Sequence, residues 1–277
     1  MTTIAEPATP WVRTRSVVTA FLRMDSIEDI SYPLSLMLGQ LGTVAPVFIY
    51  FFVGELVGSS PQIGSDYFTF AVIGLCVAEI LQSALSGFGG SLQRAQNRGT
   101  FETLLVEPVP WVFLPFAMNL WRVILGLIGG TLVFLLGAAL GAGYVWAGIP
   151  QFLALLFMGI LASMGVGILS ASLMVLAKRS QPVLTLYGLA SSLLAGALFS
   201  VDQLPPYLRA LSWAIPHTYV INSARAVLMT DPGTFSIPFG TAMIALTGFN
   251  VVVFSIGLWL FSRSLQYARK MGMLSGY

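Results

Sequence analysis

Residues 33–57 read PLSLMLGQLGTVAPVFIYFFVGELV, and one charged side chain, Glu55, stands near their end. A helix needs about 20 mostly apolar residues to cross the hydrocarbon core of a bilayer. This run is long enough, and five others follow it: residues 67–92, 111–140, 152–177, 183–201 and 239–261. The runs are continuously apolar, whereas the strands of a membrane barrel alternate in segments of about 10 residues. The sequence therefore predicts an all-α, polytopic membrane protein with six spans, forming a single transmembrane domain over residues 1–277.

Composition points the same way. The chain is 56% hydrophobic and 9% charged, with a mean hydropathy of +0.85. Soluble domains carry about 25% charged residues. A net charge of +2 gives no reason to expect nucleic acid. One cysteine (Cys76) and one histidine (His217) exclude a disulfide framework, a Cys/His metal cluster and a histidine-based triad within the chain. An ATP site needs G-x-x-x-x-G-K-[ST]. The two lysines, Lys178 and Lys270, follow Ala177 and Arg269 and cannot complete it. No catalytic, cofactor or metal residues are expected. The N-terminal stretch has no apolar core of the kind a cleaved signal needs.

The cations set the expected orientation. Arg13, Arg15, Arg23, Arg94, Arg98, Lys178, Arg179, Arg263, Arg269 and Lys270 fall on one side, and Arg209 and Arg225 on the other. Positive charge collects on the cytoplasmic side, so both termini are expected there, in a cell (inner) membrane. Three segments are not spans. Residues 12–30 set Val17, Val18, Phe21 and Leu22 against Arg15, Arg23, Asp25, Glu28 and Asp29, the pattern of an amphipathic helix lying on the cytoplasmic surface. Residues 202–237 are external, and their prolines predict two short helices that dip into the outer leaflet. The third segment is a polar island, NRGTFETLLVEPVP, residues 97–110. Over residues 97–107 it reads as a short cytoplasmic helix with an apolar ridge, stopped by Pro108 and Pro110. Such a helix suits docking onto a partner, and it equally suits an ordinary helix-breaking loop.

Here the sequence resembles a known family. Arg98, Gly99, Thr100, Phe101, Glu102, Leu104, Leu105 and Pro108 match the coupling-helix pattern of type-2 ATP-binding-cassette exporter permeases, with Glu107 where threonine is common. Gly196, Phe199, Leu204, Pro205, Pro216, Thr218, Tyr219 and Arg225 match a second pattern of that family beside the fifth span, with Ser200 in place of a proline. The resemblance implies a permease without its own ATP site. Mg-ATP would sit on a separate pair of ATPase subunits, which would touch Asn97, Arg98, Gly99, Thr100, Phe101, Glu102, Leu104, Leu105 and Glu107. It also implies a second permease copy or paralogue and export of drugs, lipids, glycolipids or polysaccharides.

Charges inside spans need a reason, because an intramembrane carboxylate costs roughly 2.5–3.5 kcal/mol on insertion scales. Counted along the sequence, Glu79 in the second span and Arg122 in the third reach similar depth, so they are expected either to pair or to part. In the second case Arg122 snorkels to the interface and Glu79 faces a polar cavity, touches cargo or titrates. Glu55 is read as water-exposed and His217 as a structural or surface residue. The tryptophans Trp111, Trp121, Trp146, Trp213 and Trp259 suit interfacial anchoring. The glycines of 126–130 and 137–143, and the stripe Gly159, Ser163, Gly167, Ala171, suit close helix packing. The few ionisable groups favour a hydrophobic or amphipathic cargo over a charged glycan. A proton-coupled carrier built on Glu79 and a membrane scaffold are the rival readings.

Overall fold

A computed structural model describes residues 10–57, 66–97, 113–177 and 181–270. Among the described residues the chain forms nine α-helices and no strand. They are α1 (Pro10–Ser31), α2 (Pro33–Val57), α3 (Tyr67–Asn97), α4 (Leu114–Ala139), α5 (Ile149–Ala177), α6 (Gln181–Leu194), α7 (Pro206–Ser212), α8 (Pro216–Leu228) and α9 (Phe239–Lys270). Short 3-10 turns at Trp146–Gly148 and Val201–Gln203 precede α5 and α7.

Among the described residues five helices are long and apolar enough to cross a membrane: α2, α3, α4, α5 and α9. The fifth expected span differs. Instead of a helix over 183–201, α6 has 14 residues, about 21 Å at ~1.5 Å per residue, against a hydrocarbon core of about 30 Å. The chain turns out of the helix at Gly196, whose φ of +73° is a left-handed conformation that glycine adopts without strain. Where two short external helices were expected, α7 and α8 occur, each with proline in its first turn. Proline lacks the N–H that a first turn leaves unpaired anyway.

The long α3 is the axis of the molecule. Most of its apolar window is buried, while that of α2 is almost wholly exposed. Helices α4 and α5 flank α3, and α9 lies along α5. Small residues set the spacing. A Cβ added at Gly126 or Gly130 of α4 would come within 2.5 Å of Ser83 or Ile80 on α3. On α5, a Cβ at Gly167 would approach the Leu85 carbonyl to 2.7 Å, and Ser163 and Ala171 beside it are fully buried. In lipid, where burying apolar surface gains little, close packing of this kind holds helices together.

Candidate functional site

Three polar assemblies interrupt the apolar bundle. The first surrounds Glu79 on α3. The Thr43 hydroxyl of α2 donates to its carboxylate at 3.4 Å, and Ser83 stands one turn along α3. On its other side opens a cavity of about 410 Å³ between α3, α6 and α8. Gln82, Thr185, Ser191, Ser192 and His217 give this cavity a hydrogen-bonding wall, and Leu75, Leu189 and Ile221 an apolar one. His217 is buried rather than on the surface, with neither ring nitrogen hydrogen-bonded and its ring edge-on to Tyr187 at 6.0 Å. Apolar walls with a few convergent polar groups are the usual make-up of a ligand site of this size.

Arg122 is not part of that assembly. A Cβ at Gly87 would lie 2.9 Å from the Arg122 Cβ, whereas Glu79 packs at the level of Gly129. Gly87 is eight residues from Glu79 along α3, about 12 Å at ~1.5 Å per residue. The two groups therefore stand two turns apart, and the expected pairing is not seen. Depth counted from the sequence misled because α3 continues to Asn97 and α4 begins only at Leu114. Glu79 is deep in its helix, and Arg122 is near the start of its own.

Arg122 instead joins the second assembly. Together with Arg94 it lines a smaller pocket of about 260 Å³, which shares Gln82 and Thr185 with the first. The acidic residues of α1 face this pair. Arg94 lies 4.0 Å from Asp25 and donates to Ser91 at 2.7 Å, and the Trp121 indole donates to Asp29 at 2.6 Å. Burial pushes the Asp25 carboxyl above the usual carboxylate range, and the Arg94 guanidinium works against that shift. The face that α1 turns to the bundle is mixed. Phe21 packs against the core and Leu22 is half-buried, as the expected apolar face requires, while Asp25 is buried beside them and Met24, Ile27 and Ile30 are exposed. The cation that α3 brings to this face accounts for the buried acid, which the sequence pattern placed on the polar side.

The third assembly is centred on Arg225 of α8. Counted on the external side of the membrane with Arg209, it is fully buried within the protein. Its guanidinium donates to the carbonyls of Phe70, Gly196 and Ala197 at 3.2, 2.7 and 2.6 Å and to Asn222 at 3.4 Å, and it lies 3.3 Å over the Phe70 ring. Carbonyls freed where α6 breaks are thereby satisfied, as buried backbone groups must be. The neighbouring motif residues serve the same corner. Thr218 donates to the Ser212 carbonyl at 2.7 Å, Tyr219 to that of Trp213 at 2.9 Å, and Asn222 to that of Ala195 at 3.2 Å. Pro205 caps α7 and Pro216 opens α8, while Phe199 and Leu204 are half-buried between α6 and α7. Of the predicted docking helix, Asn97 ends α3, and Arg98, Gly99, Thr100, Phe101, Glu102, Leu104, Leu105 and Glu107 lie outside the described residues.

A membrane bundle with a polar cavity between a long central helix and a broken one fits a transporter subunit. A profile of the ABC-2 type transporter family matches residues 31–229, well over half of the chain. The chain belongs to that family and is an ABC-2 permease, a multi-pass membrane component of a transport system. Among curated proteins it is similar to the inner membrane transport permease YadH of Escherichia coli strain K12, with 26% identity over 220 residues, 77% of this chain and 84% of that protein. The YadH permease of Shigella flexneri matches to the same extent.

Proposed function

We propose that the chain is the membrane half of an ATP-driven exporter that moves a hydrophobic or amphipathic cargo out of the cytoplasm or inner leaflet. The observation that carries this reading is the cavity beside Glu79, in a chain of the ABC-2 family with no phosphate-binding loop in its sequence. A pair of ATPase subunits holds Mg-ATP and docks on residues 97–107, which continue directly from α3. Motion there reaches the cavity along α3 as a rigid rod. Two permease copies, or this chain and a paralogue, pair to complete the pathway. Helix α6, with α7 and α8, makes the sixth crossing, so both termini are cytoplasmic, in an inner membrane like that of the relatives.

Purification of tagged chain with a candidate ATPase, followed by vanadate-sensitive ATP hydrolysis, tests this. Copurification and hydrolysis are expected, both weakened by Glu102→Arg. A proton-coupled carrier is favoured by one observation, a carboxylate at a mid-bundle cavity. Transport abolished by a protonophore and indifferent to ATP would establish that alternative instead.

A further inference from the structure

We propose that the cavity beside Glu79 receives the cationic head of an amphipathic cargo. This rests on the exporter reading and narrows its cargo class. Among the described residues Glu79 is the one charged residue lining the cavity; the other polar linings are an amide, hydroxyls and an imidazole. Its hydrogen-bond partner, Thr43, brings a donor but no positive charge. Arg122 stands two turns away beside Arg94, facing the acids of α1, and Arg225, which packs at Gly74, is engaged by the Gly196 and Ala197 carbonyls. A carboxylate held at that depth without a cation is costly, and a ligand cation offsets that cost.

The rest of the lining agrees in sign. His217, 3% exposed, lines the cavity with its ring. The Gln82 amide and the Ser192 hydroxyl carry oxygens that can accept from an ammonium head. Leu75, Leu189 and Ile221 supply apolar contact for the tail or rings of the same molecule. Leu189 and Ser192 are exposed where they line the cavity, so it is open to the outside of the bundle along α6. An anion would meet Glu79 and no cationic lining residue.

Tetraphenylphosphonium and tetraphenylborate test this, because they share shape and differ in the sign of charge. Equilibrium binding of each is measured on the full chain in nanodiscs, against empty nanodiscs. Saturable phosphonium binding is expected, weakened at least tenfold by Glu79→Gln and kept by Glu79→Asp, with no saturable borate binding. Three results would overturn the proposal: no saturable phosphonium binding, equal affinity in Glu79→Gln, or equal binding of the borate. Should Glu79→Gln fail to fold, Ser192→Trp fills the cavity from an exposed position. The same loss is then expected, and unchanged affinity counts against the site. ATPase copurification is read separately, so a permease that couples to its motor yet ignores the cation refutes only this cargo assignment.

Discussion

Arg225 shows how much one side chain does here. Its guanidinium satisfies two carbonyls, of Gly196 and Ala197, that are freed where a helix breaks, and also meets the Phe70 carbonyl of α3. A buried unsatisfied polar group costs about 1–3 kcal/mol. Arg225→Gln is therefore expected to remove several kcal/mol and to give aggregated rather than monodisperse protein by size-exclusion chromatography in detergent. Arg225→Lys keeps the charge but not the planar fork, and should fall between the two. Asp25 makes the opposite case. Its folded pKa is raised, so it favours folding below its unfolded pKa, and that contribution is lost as pH rises through the folded value. Asp25→Asn should flatten the decline of thermal stability above about pH 4, and a variant with an unchanged pH profile would contradict the role given to its burial. Neither residue was legible as such in the sequence. Arg225 matched a family pattern and counted as an external charge, but counting charges by loop says nothing of burial where a loop packs into the bundle.

At the scale of elements, helix contacts are set by where side chains are missing. A Cβ at Gly74 of α3 would lie 1.9 Å from the Ala197 carbonyl, inside the corner that Arg225 holds. Gly39 of α2 has nothing within 4 Å of the same added atom. Gly74→Ala should thus destabilise by about 1–3 kcal/mol, as overpacking does. Gly39→Ala should be neutral or stabilising by up to about 1 kcal/mol, because alanine is the better helix former. Paired melting curves in detergent check both, and similar shifts for the two variants would show that α6 does not break against α3 as described. Charge works in the same way for α1. Its acids face Arg94, Arg122 and Trp121, so Arg94→Glu should loosen α1 from the bundle, raising proteolysis within residues 10–31, and Asp25→Arg in the same chain should restore part of the protection.

For the whole molecule, the two pockets that share Gln82 and Thr185 line up beside α3, the lower one carrying arginines and the upper one Glu79. Residues 98–107 follow α3 in sequence. Glu102→Arg is expected to reduce ATPase copurification severalfold while leaving the nanodisc binding of tetraphenylphosphonium unchanged, since Glu79 stands 18 residues, about 27 Å at ~1.5 Å per residue, from the end of α3. Loss of both together would mean that the island shapes the cavity rather than the motor contact.

The sequence by itself determined the class of fold. Apolar runs of membrane length can only be helices when every backbone group must be satisfied without water, and five of the six expected spans are long apolar helices. The glycine spacing on α4 and α5 likewise foretold close packing, because a missing side chain is a local property. Only the tertiary structure decided which charges meet. Glu79 and Arg122 looked level when counted from the ends of apolar runs, yet helices continue past those runs into polar residues, and two turns of offset separate them. It also decided that α6 stops short, that α8 carries a buried arginine to the break, and that α1 buries Asp25 against the bundle. Each of these depends on partners brought from distant parts of the chain, and no local pattern records them.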